Sequence, residues 1–506
     1  MKQTKRVYLE TWGCQMNVLD SELVTGQLRS MGYEFVDQAE DADVVLFNTC
    51  SVRENAEQKA NSRLGLVRKM KADRSDMVIG VLGCMAERDG ENMTKRYPHI
   101  DLLCGPGELD KVPMLIDNAV KTTGRQMALQ GNTSRRSGTL SAAVDQLEML
   151  DLSRSVSAED HNGSAYVRIT RGCNKFCTYC VVPFTRGAEV HRPPEHIIDE
   201  CKRLADAGVI EITLLGQTVN HYRYDSGAAV SVNGTQQPQI GPGLSAFKPG
   251  QSGDAGRRVV TFADLIKRIH DEIPEILRLR FVTNYPRDFG DDILQSMAES
   301  PRICRYLHVP VQSGSDRILS LMNRGYSASE YREFIDRVRG YLPDVMIASD
   351  FIVGFPTETE EDFEQTADLI RYARFKNSFI FKYSPRPGTV AIDKYPDDVA
   401  EADKRRRNNA LLAVQAEVSD EIHQSLVDSV VDVLVEGVSQ KTRKLRNNVE
   451  LKWEEPTVQL TGRTPGDLIV IFDGDESLVG QIVPVRIQAA KPLTLFGELV
   501  GTPSLT

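Results

Sequence analysis

Three cysteines lie close together in the segment RGCNKFCTYC, residues 171–180, with the spacing C-x-x-x-C-x-x-C. A disulfide framework does not account for Cys173, Cys177 and Cys180, because three is an odd number. Zinc normally takes a fourth Cys or His nearby, and the first His after Cys180 is His191, beyond a proline. A 4Fe–4S cluster fits better, since three thiolates leave one iron open for a substrate. Three unrelated buried cysteines are the plain alternative.

The cysteine count and the composition favour a globular protein of a reducing compartment. The chain has 506 residues and nine cysteines, and cytoplasmic proteins use thiols for metals or catalysis rather than for bridges. Its first residues lack the apolar core of a signal peptide, and no run of about 18 apolar residues predicts a membrane span. A net charge of −10 argues against a chain coated with nucleic acid, although local basic patches can still bind RNA. We therefore expect a cytoplasmic protein with several domains.

A second group of cysteines follows three strands predicted near the N-terminus. The apolar runs KRVYLETWG, DADVVLFNT and DMVIGVLG predict buried strands, and the segments between them have helical spacing. This alternation predicts a Rossmann-like parallel sheet. Cys14, Cys50 and Cys84 come directly after the strands, at the edge where open α/β sheets bind ligands. We expect a second three-cysteine cluster site there. Small core residues in turns are the alternative, and Cys104 is a competing ligand.

Six further strands alternate with helices from about residue 163 and predict an incomplete parallel (β/α)6 barrel. Their sequences are AYVRIT, VIEITLLG, RLRFVT, RYLHVPV, DVMIASDFIVG and NSFIFKYS. Because the segment 171–180 follows the first strand, its cysteines should lie over the barrel mouth. Other strand ends carry polar or glycine residues, and we expect five of these to contact a cofactor: Gly216, Gln217, Gln312, Ser313 and Asp350. Taken singly, such residues are more often structural.

Changes in composition divide the chain into parts. We predict an N-terminal domain over 1–125, a linker over 126–162, the partial barrel over 163–400, a connecting helix over 401–427 and a small β-barrel over 428–501. The stretch 223–258 is rich in Gly, Ser, Gln and Pro, so it cannot bury enough apolar surface to order itself. We interpret it as a mobile insertion after the second barrel strand. The predicted fold class is α/β with a small C-terminal β-barrel.

Several short motifs together resemble one family. They are GCQMN, NTCSVRE, LGCMAE, VVPFTRG, LLGQTVN, HVPVQSGS, MNRGY, FIVGFPTETEEDF and YSPRPGT. With the cysteine segment, they resemble the radical-SAM methylthiotransferases over nearly the whole chain, excepting 223–258 and 130–162. Three departures from the family pattern are Thr218, where asparagine is commoner, Thr357, where glycine is commoner, and the pair Asn284-Tyr285 before Pro286.

The resemblance implies two 4Fe–4S clusters, held by two sets of cysteines that we call the barrel triad, Cys173, Cys177 and Cys180, and the N-terminal triad, Cys14, Cys50 and Cys84. The barrel-triad cluster would bind S-adenosylmethionine, with Tyr179 packing against its adenine. In this family one S-adenosylmethionine methylates sulfur at the other cluster. A second one provides the radical that removes the substrate hydrogen, so two are used per turnover.

The C-terminal strands resemble a TRAM domain, which is a five-stranded RNA-binding fold. A basic stretch, QKTRKLRN, lies in this region without acidic residues, and such a loop is the expected footprint of phosphates. A solvated run of charge is the alternative. The residues that we expect to bind RNA are Lys441, Arg443, Lys444 and Arg446. The resemblance also implies a tRNA anticodon loop as substrate, an electron donor such as flavodoxin or ferredoxin, a sulfur carrier, and action as a monomer without a membrane.

Three functions are compatible with these features. The chain is most similar to the branch of the family that methylthiolates carbon 2 of N6-isopentenyladenosine at position 37 of tRNA. Other branches act on threonylcarbamoyladenosine in tRNA or on a ribosomal-protein aspartate, and tend to have Glu where this chain has Arg171, which favours the first function. A non-catalytic zinc-containing RNA-binding protein would explain the basic loop, but it leaves the barrel and the two triads without a purpose.

Overall fold

The computed structural model describes residues 5–51, 54–122, 124–129, 147–154, 162–225, 231–232, 235–236, 259–439 and 458–501. Three units follow one another along the chain: a parallel sheet, a partial barrel and a closed five-stranded barrel, which confirms the predicted fold class. In these ranges no helix is long and apolar enough to cross a membrane. Most of the insertion 223–258 lies outside the described residues, as do the predicted RNA-binding residues Lys441, Arg443, Lys444 and Arg446.

The N-terminal unit is built around two strands that are buried along their whole length. Its strands are β1 (Arg6–Thr11), β2 (Glu34–Phe35), β3 (Val44–Thr49), β4 (Val78–Gly83), β5 (Leu102–Cys104) and β6 (Gln126–Ala128). Every residue of β3 and β4 is buried, as expected for a parallel sheet covered on both faces. The strand order β2-β1-β3-β4-β5-β6 reverses direction between β1 and β3. That reversal opens a crevice outside the carboxyl ends of the strands.

Helices on both faces of this sheet explain the burial. They are α1 (Gln15–Ser30), α2 (Glu54–Asp73), α3 (Cys84–Arg96) and α4 (Val112–Thr122). Leu23 of α1 and Ile116 of α4 belong to the apolar core on one face. Leu64 of α2 and Met85 of α3 belong to the core on the other face.

The sheet extends further along the chain than the sequence predicts. Its last strand, β6, lies within the range 126–162 that we expected to be a linker.

The central unit contains the six predicted barrel strands. The strands of this unit are β7 (Ser164–Arg168), β8 (Thr170–Arg171), β9 (Val190–His191), β10 (Glu211–Leu215), β11 (Arg223–Asp225), β12 (Ser231–Val232), β13 (Thr235–Gln236), β14 (Val259–Thr261), β15 (Arg278–Phe281), β16 (Tyr306–His308), β17 (Met346–Val353) and β18 (Asn377–Lys382). Two parallel sheets, β7-β10-β15 and β16-β17-β18, are joined by a bridge between Leu279 and Ile303. The first residues of the predicted mobile insertion differ from the prediction, because they form the strand β11. This strand pairs with β14 in an antiparallel ladder.

Helices separate the barrel strands and cover their outer surface. They are α5 (147–152), α6 (Val182–Thr185), α7 (Pro194–Asp206), α8 (Phe262–Glu272), α9 (Asp291–Glu299), α10 (Asp316–Leu321), α11 (Ala328–Tyr341), α12 (Glu360–Ala373), α13 (Val390–Lys394) and α14 (Glu401–Gln424). Capping boxes begin three of them, at Thr261, Ser327 and Thr359. These local signals set where each helix begins after its loop.

The C-terminal unit is a small closed barrel attached to the central one. Its strands are β19 (Val430–Val438), β20 (Val458–Arg463), β21 (Ile469–Gly474), β22 (Ile482–Lys491) and β23 (Thr494–Leu499), closed in the order β19-β20-β21-β23-β22. Arg278, which begins β15, donates to the carbonyls of Asp432 and Arg463. Lys376, which precedes β18, pairs with Asp467 at 2.6 Å. These contacts place the small barrel at the N-terminal ends of the central strands.

A group of buried charges joins the N-terminal sheet to the central barrel. Asp20 of α1 accepts from Arg168 of β7 and from Arg186, each at 2.8 Å. Arg168 also pairs with Asp151 of α5, at 2.6 Å. Arg192 pairs with Glu148 of α5, at 2.9 Å. We call the whole set the interface charge cluster: Asp20, Glu22, Glu148, Asp151, Arg154, Arg168, Arg171, Arg186, Arg192 and Glu200.

Removing one cation from this cluster should strongly destabilise the protein. In the variant Arg168→Met, Asp20 and Asp151 lose a partner although both are almost fully buried. Leaving a buried charge uncompensated costs about 3–5 kcal/mol. We therefore expect a lower denaturant midpoint in urea unfolding at pH 7. Arg371→Met is the matched control, because its pair with Asp368 is exposed and should contribute less than about 1 kcal/mol. Equal midpoints for the two variants would contradict the prediction.

Candidate functional site

The N-terminal triad comes together at the carboxyl edge of three neighbouring strands. Cys14 is the N-cap residue of α1, Cys50 directly follows β3, and Cys84 begins α3. Gly13 permits the close approach of the first two, since its φ is +136° and a Cβ there would lie 2.6 Å from the Cβ of Cys50. Only glycine readily adopts such a backbone so close to a neighbour. The sheet therefore brings the three thiols to one place, as the strand pattern indicates.

A buried polar network holds the turns of this triad. Asn17 donates through Nδ2 to Asn48 Oδ1 at 3.0 Å and to the carbonyl of Thr49 at 3.1 Å. Asn48 donates through Nδ2 to the carbonyl of Asn17 and to Ser21 Oγ, each at 2.9 Å. Thr49 donates through Oγ1 to the carbonyl of Leu82 at 2.8 Å. Because each bond joins different elements of the unit, the network fixes the relative positions of the cysteine-bearing turns.

Arg186 brings a positive charge from the central unit to the N-terminal triad. A hydrogen bond with Cys50 lowers the pKa of Cys14 to about 6, against the effect of burial, and the charge of Arg186 lowers it further. Burial raises the pKa of Cys84, and Arg186 opposes that shift. The guanidinium is itself buried and held by Asp20. A buried cation beside the thiols favours their ionised form, which is the form that binds metals.

The barrel triad lies in the loop between β8 and α6. Gly172 precedes it with φ +67°, and a Cβ there would lie 2.0 Å from the carbonyl oxygen of Ala188, so no other residue fits without rearrangement. The amide of Cys180 donates to the carbonyl of Cys177 at 3.0 Å and closes a turn between them. Burial raises the pKa of Cys173 to about 12. Burial, followed by the charges of the other two cysteines, also raises the pKa of Cys180.

Arg324 brings a positive charge to the barrel triad, as Arg186 does to the N-terminal triad. Its Nη1 donates to Cys177 Sγ at 3.3 Å, and its Nη2 donates to the carbonyl of Pro310 at 2.6 Å. The guanidinium lies over the rings of Tyr285 and Tyr326, 4.8 and 5.3 Å from their centroids. It is buried. Each triad therefore has one buried arginine next to its sulfur atoms.

The donor sets of both triads suit an iron–sulfur cluster. Each offers three thiols that form no disulfide, and a neighbouring cation offsets the negative charge of bound thiolates. The other cysteines lie in different surroundings. Cys104 donates to the carbonyl of Glu108 at 3.1 Å, while Cys201 on α7 and Cys304 before β16 are buried. Burial raises the pKa of all three.

A cavity of about 690 Å³ lies between the N-terminal and central units. Gly13 and Ser51, the chain neighbours of Cys14 and Cys50, line one side of it. Cys180 lines it from the barrel loop. The cavity therefore connects the surroundings of the two triads. Further lining residues come from three elements: Lys59 of α2, Ile352 of β17, and Phe379, Phe381 and Lys382 of β18.

Three of the predicted cofactor contacts line this cavity, namely Tyr179, Gln312 and Asp350. In the tautomer with the proton on Nε2, His308 donates a hydrogen bond to Asp350 at 3.1 Å. The amide of Gln312 donates to the carbonyl of Asp350 at 2.9 Å. Gln312 has a φ of +81°, a strained conformation for this residue type. The bond to β17 helps hold the glutamine in that conformation at the cavity wall.

The described cavity walls do not include Gly216, Gln217 or Ser313. Gly216 lies against Thr170, whose Oγ1 would be 2.4 Å from an added Cβ, so glycine is needed there for packing. Ser313 is buried, with its Oγ 3.3 Å from Thr366 Oγ1 on α12. Gly216 and Ser313 therefore contribute to packing and hydrogen bonding within the protein. Their roles toward a bound cofactor stay predictions.

Sequence reasoning missed four residues of this region. Arg186 and Arg324 lie within the motifs VVPFTRG and MNRGY, but a motif does not reveal which sulfur a distant arginine approaches. Phe379 and Phe381 alternate along β18 with rings 6.5 Å apart and 13° from parallel. Both are partly exposed, 44% and 37%, whereas the run NSFIFKYS predicts only that a strand is present. The exposure of one face of β18 indicates a binding surface, and the sequence of the strand alone does not predict which face is exposed.

Three regions of the chain match known families. Residues 6–105 match the uncharacterized protein family UPF0004. Residues 167–370 match the Radical SAM superfamily, and residues 449–500 match the TRAM domain. These matches cover five of the six strands of the N-terminal sheet, most of the central barrel and most of the small barrel.

Relatives of known name match over almost the full length. A protein of Rhodopirellula baltica named tRNA-2-methylthio-N(6)-dimethylallyladenosine synthase is 43% identical over 99% of this chain and 96% of its own length. A protein of Chromobacterium violaceum with the same name is 41% identical, over 99% of this chain and 100% of its own. One from a Thermoanaerobacter species is 39% identical, over 97% and 92%.

Among solved structures, the fold is similar to that of a radical S-adenosylmethionine methyltransferase, TsrM, from Kitasatospora setae, whose structure has cobalamin and a 4Fe–4S cluster bound. The TM-score is 0.53 with 16% identity, and the match covers 77% of each chain. A second structure of the same enzyme gives a TM-score of 0.51. At this identity the likeness concerns the fold alone.

The electrostatics of the N-terminal triad make a testable prediction for the metal-free protein. With a pKa of about 6, Cys14 should be mostly thiolate at pH 7, whereas an ordinary cysteine ionises near pH 8.5. Alkylation by iodoacetamide should therefore reach its maximal rate by about pH 7 at Cys14. Peptide mass spectrometry would measure the rate at each cysteine.

Two controls sharpen this experiment. Cys104 should stay slow throughout, because burial raises its pKa well above the ordinary value. In the variant Arg186→Gln, the midpoint for Cys14 should move to higher pH, since one of the effects that lower its pKa is lost. A midpoint for Cys14 near that of an ordinary thiol would refute the predicted ionisation.

Proposed function

The chain belongs to the family of tRNA-2-methylthio-N(6)-dimethylallyladenosine synthases, and we propose that it adds a methylthio group to carbon 2 of N6-dimethylallyladenosine at position 37 of tRNA. It is a radical SAM enzyme. The observation that carries the proposal is the cavity between the two units, which borders the surroundings of both triads. A base held in this one space would lie beside the groups that serve both halves of the reaction, and such positioning supplies a large part of catalysis.

The two triads would hold two 4Fe–4S clusters. The barrel triad has no fourth protein thiol in its loop, so one iron would remain open for S-adenosylmethionine, and the N-terminal triad would hold the auxiliary cluster. When bound, these groups supply the electron that cleaves S-adenosylmethionine to a radical, and the sulfur that is transferred. Arg324 and Arg186 offset the charge of the thiolates from the protein side. A one-electron donor such as flavodoxin or ferredoxin and a sulfur carrier complete the system.

Phe379 and Phe381 form a flat apolar surface on the cavity wall that suits a modified adenine. Their nearly parallel rings lie side by side, and unpaired RNA bases stack on aromatic side chains. The dimethylallyl chain adds apolar surface, which gains about 25 cal/mol for each Å² removed from water. Beside this surface, Asp350 of β17 is the cross-strand partner of Phe379. It is oriented by His308 and can accept a hydrogen bond from an amino group. The cavity thus combines an apolar surface with a fixed carboxylate.

Basic side chains at the cavity would bind the phosphates of the RNA. Lys59 is exposed and lines the cavity together with Lys382 and Arg386. We further propose that the C-terminal unit binds the same tRNA through the basic stretch 441–446. Phosphate contacts fix position, and contacts to the base give specificity. In this arrangement the two tasks belong to different units of the protein.

The two triads should separate by function. Cys177→Ala should abolish reductive cleavage of S-adenosylmethionine, because the barrel triad would bind it. Cys50→Ala should leave that cleavage measurable and eliminate transfer of sulfur. Chromatography of 5′-deoxyadenosine measures the cleavage, and chromatography of the digested tRNA nucleosides measures the sulfur transfer. Reconstituted wild-type protein should hold about eight irons per chain, four for each cluster.

The matched control is Cys201→Ala, which removes a buried thiol outside both triads. It should retain both activities in the fraction that folds. If Cys50→Ala and Cys177→Ala lose cleavage equally, the proposed division between the triads is wrong. Colourless protein containing zinc in place of iron would instead support the non-catalytic interpretation.

The aromatic surface should determine the preference for the modified base. Wild-type protein should convert tRNA that carries the dimethylallyl group at least about 10-fold more efficiently, in kcat/KM, than tRNA without it, since roughly 1.4 kcal/mol of apolar burial gives that factor. The double variant Phe379→Ala, Phe381→Ala should lose most of this preference. Nucleoside mass spectrometry of both tRNAs, with both proteins, measures it.

Leu412→Ala is the control, because this side chain is a similarly exposed apolar residue on α14 and does not line the described cavity. It should leave the preference unchanged. A product on threonylcarbamoyladenosine, or equal conversion of the two tRNAs by wild-type protein, would show that the proposed substrate is wrong even if the chemistry is right.

A further inference from the structure

Two histidines and a glutamate meet in a buried site behind the barrel triad. They are Glu189, which precedes β9, His191 of β9, and His221 after β10, and their candidate donor atoms lie within 4.8 Å of one another. His221 Nδ1 is 2.7 Å from Glu189 Oε1, and His191 Nε2 is 4.0 Å from the same oxygen. The two rings face each other edge to face at 6.2 Å. All three residues are buried.

The hydrogen bonding of this site is incomplete. Within the described part of the chain, neither ring nitrogen of His191 has a hydrogen-bond partner, and the same holds for Glu189 Oε2. Both residues are at most 3% exposed. Buried polar atoms are nearly always satisfied, and each exception in a native protein needs an explanation. An unmet acceptor on a histidine beside an unmet carboxylate oxygen is the pattern that a bound cation would satisfy.

We propose that Glu189, His191 and His221 hold a divalent first-row transition-metal ion. Two imidazoles with one carboxylate form a donor set that binds Zn²⁺ and Fe²⁺. Bonds of about 2.0–2.2 Å place the donors of one ion roughly 3–4 Å apart, so small side-chain movements bring these atoms into range. The site uses none of the six triad cysteines and does not depend on the proposed reaction.

The position of the site gives the ion a structural role. β9 pairs with β8, and the loop that bears the barrel triad connects these two strands. The backbone amide of Glu189 donates a hydrogen bond to Oδ1 of Asn174, which lies inside that loop, at 3.1 Å. His221 belongs to the turn after the next barrel strand, β10. An ion here would therefore clamp the base of the cysteine loop to the neighbouring strand.

Zinc content tests the site in the full-length protein. Wild-type protein with both triads loaded with iron and sulfide is incubated with one to two equivalents of ZnCl₂, passed through a desalting column and analysed by plasma mass spectrometry. We expect about one zinc per chain in the wild type, and a loss of at least 10-fold in zinc affinity for His191→Ala. The thermal unfolding midpoint should rise with zinc in the wild type and stay unchanged in His191→Ala.

Two further variants keep the test independent of folding defects. Glu189→Gln keeps the size of the side chain and removes its charge, so it should also lose zinc while its circular dichroism stays native. His270→Ala is the matched control, because this histidine bonds to Asp271 outside the site, and it should retain one zinc. No retained zinc in the wild type, or equal zinc in the wild type, His191→Ala and Glu189→Gln, would overturn the proposal.

Discussion

The position of Asp20 between two arginines fixes how the N-terminal sheet meets the central barrel. One carboxylate oxygen accepts from Arg168, the last residue of β7, and the other accepts from Arg186, which follows the barrel triad. Asp20 itself lies on α1, the helix that Cys14 caps. This single side chain therefore ties one triad to the other. The cavity between the units, and any chemistry that needs both triads, depends on that connection.

A charged interface suits this task better than an apolar one. Buried ion pairs contribute little net stability, because desolvation cancels much of their attraction. They are directional, however, and a mismatch leaves charges unpaired, whereas apolar side chains tolerate sliding and repacking. The interface charge cluster contains five arginines and five carboxylates, so its charges balance only in the correct arrangement. Orientation of the two units, rather than stability, is the property that such a cluster provides.

The sequence predicts the strands and the gathering of each triad, because both follow from local periodicity and from the geometry of parallel sheets. It does not predict the partners of Arg186 or Arg324, since the pairing of distant charges has no local signature. Composition also misleads at Asp151, which lies in the expected linker but is buried among arginines of the barrel. Thr357 shows the opposite case: the motif indicates a glycine position, and the observed φ of +68° explains why.

The arrangement of the three units also constrains how an RNA must lie on the protein. The small barrel contacts the N-terminal ends of the central strands, while the barrel triad follows a carboxyl end. The strand β17 has eight residues, which corresponds to about 26 Å at 3.3 Å per residue. A single nucleoside cannot span that separation, but a folded arm of an RNA can. Under the proposed function, phosphate contacts far from the cavity would supply affinity, and the one base that leaves the stack would be recognised where the two triads meet.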